Sequence, residues 1–349
     1  MSNKDNGSNG SGPGGDEKKF ASDFMEWRPG GAPSALHAAI NAEVLQALEG
    51  KQFSSEEEFV AFLQHLQDEH NRRPVADFCG LSAEQMYRLL YYPFESPQLV
   101  TFPSCLDTPP VAPIISLFAM LAAAIGEQGL KATVRGNLPQ KFVREAARAF
   151  LGEEKYGEHT RFGGFHSEPD FYDLHVTRLV AGLSGLIRKY KGKFILTGDC
   201  RRVLAASGLA GIYPRLLESF ARKFNWAYGD DYPDLYFLQQ SFLFTLYLFD
   251  RFGDQWRPMT FYEEAFVRAF PGFLEEVAPL SYQTQEDLVR RGYSLRCFER
   301  FAAFLGLVEI EAEVAGACAP TLLERSFRLR RTPLLGDAVR FHTSVGTAD

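Results

Sequence analysis

The stretch from Val111 to Ala206 constrains the fold of this chain most, because it holds a complete and ordered series of predicted elements. Hydrophobic periodicity and the placement of glycine and proline predict a helix over 112–127, an extended run over 130–134, helices over 140–150 and 167–185, and extended runs over 186–190 and 193–197. Lys191-Gly192 joins the last two runs, and a two-residue turn with glycine is typical of a β-hairpin. The stretch is therefore predicted to be a small helical domain with one hairpin.

Helix, strand, helix, helix and hairpin, in this order, resemble the winged-helix domain, a variant of the helix-turn-helix. The resemblance lies in the order of elements and covers about a quarter of the chain. It implies that the helix over 167–185 is the one that would enter a DNA groove. The whole chain is also similar to uncharacterised bacterial families, and that similarity implies no mechanism.

A second copy of this plan is predicted near the C-terminus. The segment that starts at Arg178, RLVAGLSGLI, resembles the segment RFAAFLGLV that starts at Arg300, and in both a helix ends in glycine and runs into a strand. After a longer loop, the run FILT at Phe194 is echoed by FRLRRT at Phe327. These similarities predict a second winged-helix-like domain.

The fold class predicted for the whole chain is mainly α with small β-hairpins, in the α+β class. A chain of 349 residues has room for two or three domains. Composition, proline clusters and periodicity divide it into a disordered tail (1–32), an N-terminal helical region (33–95), a proline-rich connector (96–110), the winged-helix-like domain (111–206), an aromatic-rich helical region (207–280) and the second winged-helix-like domain (281–349).

Helices are also predicted in the two flanking helical regions. In the first, they lie over 35–48, after Ser54 or Ser55 with three glutamates in the first turn, and from Ser82 with Gln85 in a capping box. In the second, they lie over 214–226, 235–252 and 262–270. The aromatic residues at helical spacing over 237–252 are expected to be core.

The spacing of the cysteines and the length of the apolar runs indicate the cellular location of the protein. The five cysteines are far apart and form neither C-x-x-C pairs nor a disulfide framework, so we expect reduced thiols in the core of a cytoplasmic protein. The longest apolar runs are shorter than the ~20 residues that span a bilayer, which predicts a soluble protein with no membrane partner.

Charge is the main clue to a partner. The chain has a net charge of -7, so any contact with nucleic acid must use a local patch. Between residues 112 and 206, fourteen Lys and Arg face nine Asp and Glu. Three groups of cations are predicted to contact phosphates. The hairpin, which we call the wing, carries Arg188, Lys189, Lys191 and Lys193, and one face of the helix over 140–150 carries Lys141, Arg144 and Arg148. The helix over 167–185 adds Arg178.

The helix over 167–185 is poorly suited to sequence-specific contacts with bases. Its predicted exposed face consists of Asp170, Asp173, Thr177, Ala181 and Ser184. Carboxylates in the leading turn would repel phosphates, and the face has no Arg, Asn or Gln for bidentate base contacts. We therefore expect binding that is not strongly sequence-specific and that uses mainly the wing.

Two groups of residues are candidate metal sites. The first is His159, His166, His175 and Asp170, which offer zinc-type ligands, although Ser167 and Asp170 also suit a helix cap with exposed histidines around it. The second is Asp230-Asp231-Tyr-Pro-Asp234, which resembles the D-D-x-x-D run of prenyl-diphosphate enzymes, although Pro233 favours a turn. No nucleotide-binding loop or hydrolase motif is present in the sequence, and no cofactor is predicted.

Three functions follow from these features. The first is a non-enzymatic winged-helix protein that contacts nucleic acid, with duplex as the expected form. The second is a protein-interaction scaffold that uses the winged-helix and helical surfaces with a protein partner. The third is a metal-dependent enzyme without a recognised motif. The sequence leaves the oligomeric state open.

Overall fold

The computed structural model describes residues 46–161, 163–230, 232–233, 235–278, 283–312 and 327–342. The predicted tail over 1–32 and most of a helix predicted over 35–48 lie outside these residues. The described part is mainly helical with small antiparallel sheets, which confirms the coarse fold class. The chain divides into two compact units, Met1–His70 and Asn71–Asp349.

The first unit contains most of helix α1 (Glu56–Arg72). As predicted, the helix follows Ser54 and Ser55 and has three glutamates in its first turn, where carboxylates favour the positive end of the helix dipole. The backbone N–H of Glu58 donates to the Ser55 hydroxyl at 3.2 Å, so this serine caps the helix.

The second unit contains all the other elements. Its N-terminal part consists of α2 (Ala83–Tyr91), β1 (Val100–Thr101), α3 (Pro113–Ile125), β2 (Leu130–Lys131), α4 (Gln140–Thr160), α5 (Tyr172–Leu183), β3 (Ile187–Tyr190), β4 (Lys193–Leu196) and α6 (Gly198–Arg222). Its C-terminal part consists of α7 (Tyr236–Gln240), α8 (Phe242–Phe252), β5 (Arg257–Pro258), α9 (Met259–Ala269), α10 (Gln285–Tyr293), a π-helical segment (Ser294–Ala303), β6 (Val308–Ala312), β7 (Phe327–Arg331), α11 (Pro333–Ala338) and β8 (Arg340–Phe341).

The first three-stranded sheet has the order β2-β4-β3 and is antiparallel throughout. Its hairpin turn is the predicted one, with φ of 47° at Lys191 and 75° at Gly192. Positive φ at both central residues is the turn geometry that matches the twist of a hairpin. The edge strand β2 lies between α3 and α4 in the chain, so this sheet joins the α3–α4 connection to the hairpin that follows α5.

The second three-stranded sheet repeats this topology, with the order β5-β7-β6. Here α8 precedes the edge strand β5, and α9 and α10 precede the hairpin strands β6 and β7. The repeated order of elements therefore begins at α8, well before the predicted start of the second domain at residue 281. A third sheet has two strands and pairs β1, within the predicted connector, with β8.

Matching hydrogen bonds support the internal repeat. The Thr197 hydroxyl donates to the Gly185 carbonyl at 2.9 Å, and the Thr332 hydroxyl donates to the Gly306 carbonyl at 2.6 Å. The backbone N–H groups of the same two threonines donate, each at 3.0 Å, to the residue after each glycine. Each threonine thus closes the hairpin onto the end of the third helix of its repeat.

The two equivalent glycines give a testable difference in stability. Gly185 and Gly306 both have φ of +73°, so alanine at either site would carry the left-handed penalty of about 1 to 2 kcal/mol. A Cβ at Gly185 would meet nothing within 4 Å, whereas one at Gly306 would lie 2.7 Å from the Val111 carbonyl oxygen. We expect Gly306→Ala to lower the free energy of unfolding by about 1 kcal/mol or more beyond Gly185→Ala, as measured by urea titration. Equal losses would contradict this.

The helices of the aromatic-rich region differ from prediction in their bounds. A helix predicted over 214–226 is α6, which begins at Gly198 and continues through Pro214, with non-helical φ/ψ at Gly208. A helix predicted over 235–252 is divided at Ser241 into α7 and α8. The expected aromatic core is confirmed, because Phe242, Phe244, Tyr247 and Phe249 are all buried.

The cysteines are only partly core residues. Cys200 and Cys297 are buried and Cys79 is half-buried, but Cys105 is exposed, so the expectation of core thiols is wrong there; Cys318 lies outside the described residues. Within the described ranges, no helix has both the length and the apolar content that a membrane crossing requires.

Candidate nucleic-acid interface

The first sheet presents one solvent-facing side, which we call the outer face and define as Lys131, Arg188, Tyr190, Lys193 and Ile195. Side chains alternate along β4, where Phe194 and Leu196 are buried and Lys193 is exposed. Directly paired residues share a side of a sheet. The register Lys131↔Lys193↔Tyr190 and Arg188↔Ile195 therefore places these residues together.

The cations of the outer face lack acidic partners. Across the described residues, no ion pair joins Lys131, Arg188, Lys191 or Lys193 to a carboxylate. Lys193 Nζ instead donates to the Gln128 carbonyl at 3.1 Å. Lys131 lies directly opposite Lys193, and like charges opposite one another destabilise a sheet. The site thus concentrates positive charge at a cost in stability.

The wing residue Lys189 lies elsewhere. Its register partner is the buried Phe194, so Lys189 belongs to the other side of the sheet, where its Nζ lies beside Gly136. The four predicted wing cations therefore do not form a single surface. Arg188 and Lys193 share the outer face, and Lys191 lies at the turn.

Sequence reasoning missed Lys131, Tyr190 and Arg135 as site residues. Lys131 is 62 positions before Lys193 in the chain, and only the β2–β4 register brings the two together. Arg135 is exposed in the turn after β2, which is tied to the hairpin because the N–H of Ala132 donates to the Gly192 carbonyl at 2.9 Å. The predicted extended run over 130–134 contains Lys131, but the sequence does not show which strand pairs with this run.

The second sheet has the same topology and a different charge pattern. Its cations are matched by carboxylates on the neighbouring strand, since Arg330 pairs with Glu309 at 2.8 Å and Arg328 pairs with Glu311. The two arginines also lie over the Trp256 ring, at 5.2 Å for Arg328 and 4.9 Å for Arg330. The described part of this sheet is therefore close to charge-balanced where the first sheet is basic.

The predicted basic face of α4 is only partly available. The Nε–H of Arg144 donates to the Phe165 carbonyl at 2.9 Å, and Arg148 pairs with Glu153 at 3.3 Å. Lys141 is exposed and 3.9 Å from Glu145. Arg144 thus holds the α4–α5 connection, and Arg148 pairs within α4 across the kink at Gly152, which leaves Lys141 as the most available of the three for a phosphate contact.

Arg178 is engaged in a buried ionic cluster. Its Nε–H donates to Glu168, whose side chain is fully buried, and its guanidinium lies 5.5 Å from the Phe194 ring centroid. Glu168 also accepts from His175 Nδ1 at 2.8 Å and from the Leu138 N–H at 2.5 Å. Burial alone would raise the pKa of Glu168, but these hydrogen bonds and the Arg178 charge hold it below the ordinary value.

The expected exposed face of α5 is wrong in two positions. Thr177 and Ala181 are fully buried, and six of the twelve residues of the helix are buried where it packs against α3 and α6. A helix covered on this face cannot enter a DNA groove while these contacts are in place. The base-reading route that the resemblance implied is therefore closed in this structure.

The third helices of both repeats contact the segment 228–233. On the α5 side, His175 Nε2 lies 2.8 Å from the Tyr228 hydroxyl, and the Tyr172 hydroxyl donates to the Tyr228 carbonyl at 3.1 Å. On the π-helical side, Arg296 pairs with Asp230 at 2.7 Å and Arg300 pairs with it at 3.3 Å. Tyr228 and Asp230 thus join the two repeats through polar contacts, which are buried at Asp230 and partly exposed at Tyr228.

The metal candidates do not meet at one point. The Asp170 carboxylate accepts from the backbone N–H groups of His166 (2.8 Å) and Ser167 (2.7 Å), which is the predicted cap. His159 packs beside Phe165, and His175 is buried against Glu168, so the expectation of exposed histidines is wrong for His175. No group of three or more metal-ligating side chains forms among the residues described.

The acidic run at 230–234 has a structural role at its first position. Asp230 is bound by two arginines, as above, while Asp231 and Asp234 lie outside the described residues. Tyr232 and Pro233 provide carbonyls to Arg296, at 3.3 and 2.8 Å. The described part of the run is thus a non-helical arginine-binding turn.

Comparison with known proteins adds one similarity. Residues 111–209 match the family described as the Y4jL N-terminal domain. The matched segment runs from the residue before the α3 N-cap to the break in α6 at Gly208, and so contains the whole first sheet. Neither the curated proteins nor the solved structures give a match to this chain.

Proposed function

We propose that residues 111–206 form a winged-helix-like domain that binds the phosphate backbone of nucleic acid through the outer face of its first sheet. The observation that carries this proposal is the pair of opposed, unneutralised lysines, Lys131 and Lys193, beside Arg188. Proteins tend to keep a local arrangement that costs stability where function requires it. Phosphates would relieve the repulsion that the isolated sheet carries.

The order of elements supports the domain assignment. Helix α3, edge strand β2, helices α4 and α5 and the β3–β4 hairpin follow in the winged-helix order, with β2 paired to the second hairpin strand. The C-terminal repeat of the same order supports a second winged-helix-like domain. Its charge-balanced sheet argues that only the first of the two contacts phosphates.

The proposed binding is not strongly sequence-specific. Lys and Arg on a sheet contact phosphates, which fix the position of a protein on nucleic acid without reading its sequence. Base reading needs polar side chains in a groove, whereas on α5 Thr177 is buried and Arg178 is held by Glu168. The affinity should therefore fall steeply as salt rises.

Reversing two outer-face charges tests the proposal. We expect Arg188→Glu/Lys193→Glu to weaken duplex DNA binding at low salt by about tenfold or more, because two phosphate contacts are lost. The slope of log affinity against log salt should fall by about 1.8. Fluorescence anisotropy with a labelled duplex, over a range of salt concentrations, measures both quantities.

The matched control is Lys155→Glu/Arg161→Glu. Both residues are exposed near the C-terminal end of α4, and the net charge changes equally. The control should keep the wild-type salt slope. If both double variants weakened binding equally, or if the wild-type protein did not bind duplex at low salt, duplex binding through this face would be ruled out.

A protein-interaction scaffold is the second candidate, and one surface favours it. A groove of about 660 Å³ is lined by α2 and α7, with Tyr91, Tyr92 and Tyr236 all exposed along it. Tyrosine is enriched at protein interfaces because it combines apolar area with a polar tip. A protein partner that co-purifies through high salt and is lost on Tyr236→Ala would support this function.

A further inference from the structure

We propose that Tyr190 on the outer face stacks against an unpaired nucleobase, so that the preferred ligand is nucleic acid with single-stranded character. This inference rests on the proposed function and adds the form of nucleic acid that the site selects. The observation behind it is an aromatic ring left half exposed, at 50%, among cations that have no acidic partners.

The position of Tyr190 suits stacking. It is the last residue of β3 and lies next to the hairpin turn, with Lys193 as its cross-strand partner. The Tyr190 hydroxyl makes no hydrogen bond within the described part of the chain. A large ring kept in water on a sheet has apolar area still to bury, and every base offers a flat face that can cover it.

Two cations lie close to the Tyr190 ring. The Arg188 guanidinium carbon lies 5.5 Å from the Tyr190 centroid, and Lys191 Nζ lies 5.3 Å from it. Both distances are within the range of cation–π contacts. A strand whose base lies on Tyr190 would therefore have two cations close by for its flanking phosphates, and a positive surface with an aromatic platform is an arrangement that binds single strands.

The ring distinguishes the two forms of nucleic acid. In a duplex the faces of the bases are stacked on one another, so they are not available to cover Tyr190. A single strand can place the face of an unstacked base on the ring.

The described part of the second sheet arranges these groups differently. Trp256, next to β5, lies under two arginines that are themselves paired with glutamates. Phosphates would have to compete with those carboxylates. The exposed ring of Phe327 shares its side of β7 with the buried Leu329, opposite to those arginines. The stacking site is thus expected in the first repeat alone.

The test compares Tyr190→Ala and Tyr190→Phe in the full chain. The probes are a labelled oligothymidylate and a blunt duplex with the same number of phosphates, both followed by anisotropy at fixed salt. We expect Tyr190→Ala to weaken oligothymidylate binding by about tenfold, since stacking contributes roughly 1 to 3 kcal/mol per base, and to leave duplex binding within about twofold. Tyr190→Phe should retain wild-type affinity, because the ring remains.

The outcomes separate the two proposals. If Tyr190→Ala leaves oligothymidylate binding unchanged while Arg188→Glu/Lys193→Glu abolishes it, the stacking inference is wrong and the proposed function stands. Wild-type protein that binds neither probe overturns both. If polyglutamate displaces the oligothymidylate at equal charge concentration, the face is a general anion surface, and selection of unpaired bases is wrong.

Discussion

Asp230→Asn is expected to lower the free energy of unfolding by about 3 to 5 kcal/mol, because it leaves buried guanidinium charge without its counter-charge. The side chains of Asp230 and Arg296 are 2% and 1% exposed, and the Asp230 carboxylate accepts from Arg296 Nε at 3.0 Å and Nη2 at 2.7 Å. Arg300 adds a third contact to the same carboxylate at 3.3 Å. Urea unfolding at neutral pH, followed by tryptophan fluorescence, measures the loss.

A surface pair of the same chemistry provides the control for Asp230. Asp254 pairs with Arg331 at 2.6 Å, but its side chain is 66% exposed. Exposed ion pairs contribute about 0 to 1 kcal/mol, so Asp254→Asn should cost no more than that. Similar losses for the two variants would show that burial does not set the strength of the Asp230 cluster.

Glu168→Gln is expected to cost about 3 to 5 kcal/mol for the same reason, since Arg178 would keep its charge beside a neutral amide. The amide also cannot match a carboxylate that accepts from Arg178, His175 and the Leu138 N–H. The control is Glu153→Gln, because Glu153 pairs with Arg148 but is 79% exposed. Its loss should stay below about 1 kcal/mol.

The loss of stability in Glu168→Gln should depend on pH. Since the pKa of Glu168 is lowered in the folded state, its ionised form stabilises the fold above the ordinary pKa of 4.5. That contribution is lost as pH falls from 4.5 through the lower folded value. The stability difference between wild type and Glu168→Gln should therefore be constant near neutrality and shrink below pH 4.5. A difference that grows on acidification would contradict the assignment.

The two buried clusters suggest how a duplicated plan could diverge. The third helix of each repeat is packed against its neighbours, and each makes polar contacts with residues 228–230, which are part-buried at Tyr228 and buried at Asp230. What remains exposed and different is the pair of sheets, one basic and one charge-balanced. The surface that we propose for nucleic acid is thus the part of the repeat left free by the packing of the helices.

Features that depend on neighbouring residues could be predicted from the sequence alone. The Lys191-Gly192 turn follows from local backbone preference, and the Ser82–Gln85 capping box follows from a spacing of three residues. The concentration of cations near the hairpin was visible for the same reason. Such signals act over a few residues, so one sequence is enough to predict them.

Which of these residues share a surface depends on how distant elements of the chain pack together. Strand register placed Lys131 beside Lys193 and moved Lys189 to the other side of the sheet. Packing buried Thr177 on α5 and drew Arg178 onto Glu168. These outcomes depend on contacts between elements far apart in the chain, whose geometry is set by the whole core rather than by any local pattern.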